Sequence, residues 1–108
     1  MEIRWTSNAI KDLRLIYQFY LTKSEKAANA IYNEIIDNVN ILKDFPQIAQ
    51  IEPLLEKRTK TYRSLVVRSM FKVIYSIETG IVNIAAIWDC RRSPEKLTNE
   101  ITDKNNRR

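Results

Sequence analysis

Histidine is absent from the 108 residues, so the commonest general acid–base and the commonest metal ligand are both missing. Any catalysis must rest on Lys, Arg, Tyr, Asp or Glu. The candidates lie in the second half of the chain: Lys60, Arg63, Arg68, Lys72 and Tyr75, then the adjacent pair Arg91-Arg92. Residues 57–77 carry six basic side chains and no acid, whereas residues 7–44 hold five of each. Such a segment suits phosphate or an acidic protein. A guanidinium fork matches phosphate oxygens two at a time. Arginine and lysine can also stabilise a phosphorane-like transition state while a lysine or tyrosine moves the proton. On this reading Arg63, Arg91 and Arg92 are the catalytic candidates, and Lys60, Arg68, Lys72 and Tyr75 would bind the substrate or target.

Each candidate also has a purely structural reading. Arg63 falls early in an apolar run and could equally pair with a carboxylate. Arg68 and Lys72 fit solvated charges on an edge strand, a common device against edge-to-edge pairing. Tyr75 fits a sheet residue with a hydrogen-bonded hydroxyl. Arg91 and Arg92 sit between the end of an apolar run and Pro94, a position that favours exposure and contact, with Asp89 placed to orient one of them. Trp5 and Trp88, bordered by aliphatic residues, read as packing groups before base-stacking ones. Cys90 is the sole cysteine, so no internal disulfide and no cysteine metal cluster can form; it reads as a small, partly buried strand-end residue. No metal or cofactor is expected.

The elements that must position these groups follow from apolar periodicity. Glu2 to Trp5 alternates polar and apolar residues as a half-buried strand does. Thr6 or Ser7 can cap the helix that follows, in which Ile10, Leu13, Ile16, Tyr17 and Tyr20 recur at helical spacing to about residue 22. Ser24 and Glu25 start a second helix with the stripe Ala28, Ile31, Ile35, Val39 and Leu42, running to about Asp44 before Pro46 stops it. Tyr32 and Ile36 point away from that stripe. So short a connection predicts an antiparallel helix hairpin. Residues 45–60 read as a loop with a helical turn near Leu54-Leu55-Glu56. Three strands follow, Tyr62–Val67, Phe71–Ile77 and Ile81–Trp88, with turns at Arg68-Ser69 and Glu78-Thr79-Gly80. The sum is an α+β domain: an N-terminal strand, an antiparallel helix hairpin and a three-stranded antiparallel meander with the helices on one face. The other face should be partly open.

The length suits one domain, placed at residues 1–98, followed by a polar, frayed tail at 99–108; a short helical turn is expected over Glu95 to Ile101. No stretch approaches a membrane span and neither end carries a secretory pattern, so a soluble, cytoplasmic protein with no membrane partner is expected. A formal charge of +5 favours acidic partners.

Five local patterns, in order, resemble toxins of the RelE/ParE superfamily of type II toxin–antitoxin systems, the group that includes plasmid stabilisation proteins. They are residues 5–13 (WTSNAIKDL), 42–46 (LKDFP), 63–67 (RSLVV), 71–77 (FKVIYSI) and 87–94 (IWDCRRSP), and the resemblance they carry extends over residues 3–97. The resemblance implies a compact toxin fold, a cognate antitoxin whose segment wraps it, and a functional cleft near Arg63, Arg68, Arg91 and Arg92. It leaves the mechanism open. RelE-like members bind the ribosome and cut mRNA, an mRNA interferase activity, whereas ParE-like members inhibit DNA gyrase without nuclease chemistry; an inactive, regulatory member is a third reading. The nuclease pattern places a tyrosine or histidine just past the last strand, and Ser93 to Asp103 contains neither. Tyr75 matches a tyrosine shared by nucleases and non-nucleases alike.

Overall fold

The computed structural model describes residues 1–91 and Ile101. Strand β1 (Glu2–Trp5) leads into helix α1 (Ser7–Leu21) and helix α2 (Glu25–Ile41), followed by a two-residue strand β2 (Gln50–Ile51) and a 3-10 turn at Pro53–Leu55. The meander is β3 (Tyr62–Val67), β4 (Phe71–Glu78) and β5 (Ile81–Asp89). The expected elements form, β1 and β3 with the expected bounds and the others with bounds shifted by up to three residues. Helix α2 ends at Ile41 instead of near Asp44, because the chain tightens into turns at Leu42, Lys43 and Asp44 before Pro46.

The sheet has five strands in the order β1-β5-β4-β3-β2. Strand β1 lies parallel to β5, Glu2 opposite Ile81 through Trp5 opposite Ile84, and β2 pairs antiparallel with β3. The helix hairpin supplies the crossover that a parallel neighbour requires. Strand β2 was not expected, since two residues carry too little pattern to stand out from a loop.

Two apolar layers sandwich the sheet. Ala9, Leu13, Ile31, Ile35, Val39 and Leu42 of the hairpin pack with Val67, Phe71, Val73, Tyr75, Val82, Ile84 and Ile87. On the opposite face Leu55, Tyr62, Ile74, Ala86 and Trp88 form a smaller cluster that Ile101 completes, buried to 4% exposure. The Arg58 guanidinium donates to the Ile101 carbonyl. The boundary at residue 98 and the turn over residues 95–100 lie outside the described residues. A bulge in β5 between the pairs Tyr75–Ile84 and Ile74–Ala86 resets the side-chain alternation, so Ile84 and Ile87 share the helix face while Ala86 and Trp88 face away. Trp88 is buried and Trp5 packs at the border of the helix-side core, as packing groups should.

Thr6 joins strand to helix. Its hydroxyl accepts the Ala9 N–H at 3.1 Å as the α1 cap, and donates to the Ile84 carbonyl at 2.8 Å, beside a backbone bond from Thr6 to the same carbonyl. Asn8 continues the edge by donating to Ala85 O at 3.2 Å. Thr6→Ala should therefore cost about 1–2 kcal/mol, the range for a lost cap, and Thr6→Ser should restore most of it; urea unfolding midpoints of the three proteins check this.

Candidate functional site

Register and alternation put the predicted side chains on different parts of the molecule. Arg63 and Tyr75 face each other across β3 and β4, on the helix side. Tyr75 is fully buried, and its hydroxyl donates to Pro46 O at 2.7 Å; the Arg63 Nη1 donates to Ala49 O at 2.7 Å. Together they hold the 46–49 loop against the sheet. Burial pushes the Tyr75 phenol above its ordinary value, partly offset by the Ala49 backbone and the Arg63 charge. The carboxylate partner considered for Arg63 is replaced by a carbonyl, because the loop that carries Ala49 crosses beside β3. Tyr75→Phe should lower stability by about 1 kcal/mol and speed proteolysis within residues 43–49, read by limited digestion with mass spectrometry.

Lys72 lies on the other face, opposite Val66 and Trp88. Its ammonium pairs at 2.8 Å with Glu52, whose side chain is 0% exposed, so Lys72 is not the solvated edge charge its position suggested. Burial raises the Glu52 carboxyl pKa, but the Lys72 hydrogen bond, the Leu54 N–H at 3.0 Å, the nearby Ser64 hydroxyl and the Lys72 charge outweigh it, and the net shift is downward. Ser64 Oγ is buried with no hydrogen bond of regular geometry among the described residues; its help is that of a nearby dipole. Arg68, left-handed at φ 57° in the β3–β4 turn, pairs with Glu34 of α2 at 2.8 Å. Lys60 pairs with Glu78 at 3.1 Å, at the opposite end of the sheet from Arg68.

At the end of β5 the arrangement differs. Arg91 grips Asp89 side-on, Nε to Oδ1 at 2.9 Å and Nη2 to Oδ2 at 2.6 Å, while its backbone N–H donates to Oδ1 at 2.9 Å. The Asp89 carboxylate raises the Arg91 pKa further above its already high value, so the guanidinium stays charged. Tyr20 of α1 lies 3.3 Å from Nη2, and the Arg91 side chain is 59% exposed. Asp89 orients Arg91, as its position predicted. Arg92 lies outside the described residues. Cys90 is exposed instead of partly buried, because it follows the last residue of β5. Among the described residues no three His, Cys, Asp or Glu side chains gather as metal ligands, and no helix is long and apolar enough to cross a membrane.

The structure thus joins Arg63 with Tyr75 and isolates Arg91 with Asp89 and Tyr20, while Lys60, Arg68 and Lys72 each have a separate carboxylate. Three contributors went unread in the sequence. Glu52, in a loop before a proline, looks solvated. Asp12 accepts the Ile87 N–H at 3.0 Å, yet as an acid early in an amphipathic helix it carries no signal. Tyr20 reads as a core aromatic until its hydroxyl is placed.

The family of ParE toxins of type II toxin–antitoxin systems, encoded by parDE, matches residues 3–94. This chain is a member of that family. The match spans the fold described here, from β1 through the end of β5 and the Arg91 region. Among solved structures, a chain titled as the chromosomal ParDE TA system from P. aeruginosa is similar, with a TM-score of 0.69 and 21% identity over 82% of this chain and 95% of that one. No curated protein matches. As a ParE-family chain, this toxin has the architecture of two helices on a five-stranded mixed sheet, and its family is one whose toxins are paired with antitoxins.

Proposed function

We propose that this ParE-family chain is a growth-inhibiting toxin, neutralised by its cognate antitoxin, that acts by binding DNA gyrase and not by cutting mRNA. The observation that carries the choice is the inward-turned Arg63–Tyr75 pair. The proton-moving tyrosine and the phosphate-binding arginine of the nuclease reading are both bonded to loop carbonyls, and Tyr75 has no exposed surface. Lys60, Arg68 and Lys72 are held by carboxylates. Arg91, oriented and exposed, is the described candidate best placed to touch a macromolecule. The family match supports the same branch of the superfamily, and the missing tyrosine or histidine in residues 93–103 agrees with it.

The test uses the purified chain. It should block supercoiling of relaxed plasmid by gyrase at near-stoichiometric amounts, and leave mRNA intact both free and on programmed ribosomes. In cells, induction should cause filamentation with a DNA-damage response. Cleavage of ribosome-bound mRNA with gyrase unaffected would reverse the assignment.

A further inference from the structure

Arg91 lies just past the end of β5, yet its guanidinium is held from two elements far apart in the chain. Asp89, two residues back, engages Nε and Nη2 side-on at 2.9 and 2.6 Å. Nη2 also donates to the hydroxyl oxygen of Tyr20 on α1, 3.3 Å away and 71 positions distant in sequence. The N–H pair on Nη1 is what these bonds leave for a partner. Tyr20 is itself fixed. It stands in the last turn of α1, where its carbonyl accepts the Lys23 and Ser24 N–H groups at 2.9 Å each. Its ring meets that of Phe71 edge to face, with centroids 6.4 Å apart at 82°. Phe71 is fully buried and lies opposite Asp89 in the β4–β5 ladder. Phe19, Tyr20, Phe71, Asp89 and Arg91 thus share one cleft of about 220 Å³ between α1 and the ends of β4 and β5. The two contacts act differently. Asp89 ties the guanidinium to the strand that leads into it, and Tyr20 ties it to the helix layer. A planar fork held from two directions keeps one orientation, and a long side chain ordered before binding spares the complex the cost of ordering it.

We propose that Tyr20 is a positioning residue for the target contact: its hydroxyl oxygen engages Nη2 and so holds Arg91 with the paired Nη1 donors turned outward to gyrase. This rests on the gyrase-binding reading above and deepens it. Tyr20 acts through Arg91, as an acceptor, and its own hydroxyl does not have to touch the target.

The experiment uses the full chain and two readouts: the toxin concentration that half-blocks gyrase supercoiling of relaxed plasmid, and the guanidinium nitrogen signals of Arg91 in NMR. Tyr20→Phe keeps the ring and removes the accepting oxygen. O-methyltyrosine at position 20 keeps that oxygen and removes only the hydroxyl proton. Tyr17→Phe is the control, since it removes an α1 hydroxyl bonded elsewhere, to Asn29 at 2.8 Å. Melting temperature is measured for each protein. Tyr20→Phe should raise the half-blocking concentration by about two- to tenfold, the range for ordering one long side chain on binding. Its Arg91 Nη1 and Nη2 signals, resolved in the parent, should broaden toward one another as the group rotates more freely. The O-methyl protein and Tyr17→Phe should match the parent in both readouts. Parent-like potency in Tyr20→Phe overturns the proposal. So does a loss of potency with the Arg91 signals unchanged, which makes Tyr20 a direct contact, and so does a loss in the folded O-methyl protein. Failure of Tyr20→Phe to fold assigns the hydroxyl to stability and overturns it equally. If the parent does not block supercoiling, the gyrase reading fails by itself; growth inhibition on induction then replaces potency, and the Arg91 signals still decide whether Tyr20 holds the guanidinium.

Discussion

Lys72→Met is expected to cost about 3 kcal/mol of folding stability at neutral pH, near the lower end for breaking a buried ion pair. The reason is its partner. Glu52 is completely buried, and the Lys72 ammonium at 2.8 Å is the only cation among the described residues paired with it. Without Lys72 the carboxylate keeps the Leu54 N–H but loses its counter-charge. The lower end applies because the Lys72 side chain keeps 25% exposure, which lets water soften the field. Glu52→Gln should cost less, since a neutral amide leaves no uncompensated charge, and Lys72→Met in that background should cost little more.

The pH dependence gives an independent check. In the parent the folded Glu52 pKa lies below its ordinary value of 4.5, so the stability it contributes is fully present above that value and fades as pH falls through the folded pKa. In Lys72→Met both Lys72 contributions are gone and burial is opposed only by the Leu54 N–H and Ser64, so the folded pKa should lie above that of the parent. The variant's deficit should therefore shrink as the pH is lowered toward the ordinary carboxylate range. Urea unfolding of all four proteins between pH 4 and 8 tests this, where the range is a choice of roughly the window in which a buried carboxyl titrates. A deficit for Lys72→Met that is unchanged in the Glu52→Gln background, or that does not vary with pH, would show that the pair is not what stabilises this face.

Replacing Arg91 and Arg92 together with alanine should largely abolish growth inhibition while changing stability by about 1 kcal/mol or less, as for other exposed charges. Arg91 is 59% exposed and bonds only Asp89 and Tyr20 among the described residues, so no buried group is orphaned by its removal. Arg91→Lys should fail to restore full activity, because an ammonium cannot reproduce the side-on grip on Asp89 that fixes the direction of the remaining donors. Growth on induction, thermal melting and gyrase supercoiling measured for each variant separate the possibilities. Undiminished toxicity of a folded double variant would remove Arg91 from the contact, and loss of toxicity through unfolding would remove the argument for it.

The sequence by itself determined the elements and most of their faces, though Ile10 of the α1 stripe is exposed and Ile36, read as pointing outward, packs against the core. The helical stripes of α1 and α2, the caps Thr6 and Ser24, and the three long strands could be read because each depends on residues within a few positions: periodicity, a hydroxyl before an apolar run, a glycine in a turn. The resemblance to toxins was legible for the same reason, as five local patterns in order. The exposed end of β5, with Asp89 orienting Arg91, was also local, two residues apart on one strand.

Only the tertiary structure decided which charges are spent. Whether Arg63 meets a carboxylate, a phosphate or the Ala49 carbonyl depends on where a loop 14 residues away lies. Whether Lys72 is solvated depends on Glu52, 20 residues earlier and indistinguishable in sequence from any loop acid. The parallel pairing of β1 with β5 joins residues nearly 80 positions apart. The cleft between α1 and β5 likewise exists only once Phe19 and Arg91 are brought to one rim. A charge reports its type in sequence but its partner only in space, because the energy of a buried pair is set by separation and desolvation, neither of which is a property of the residue alone.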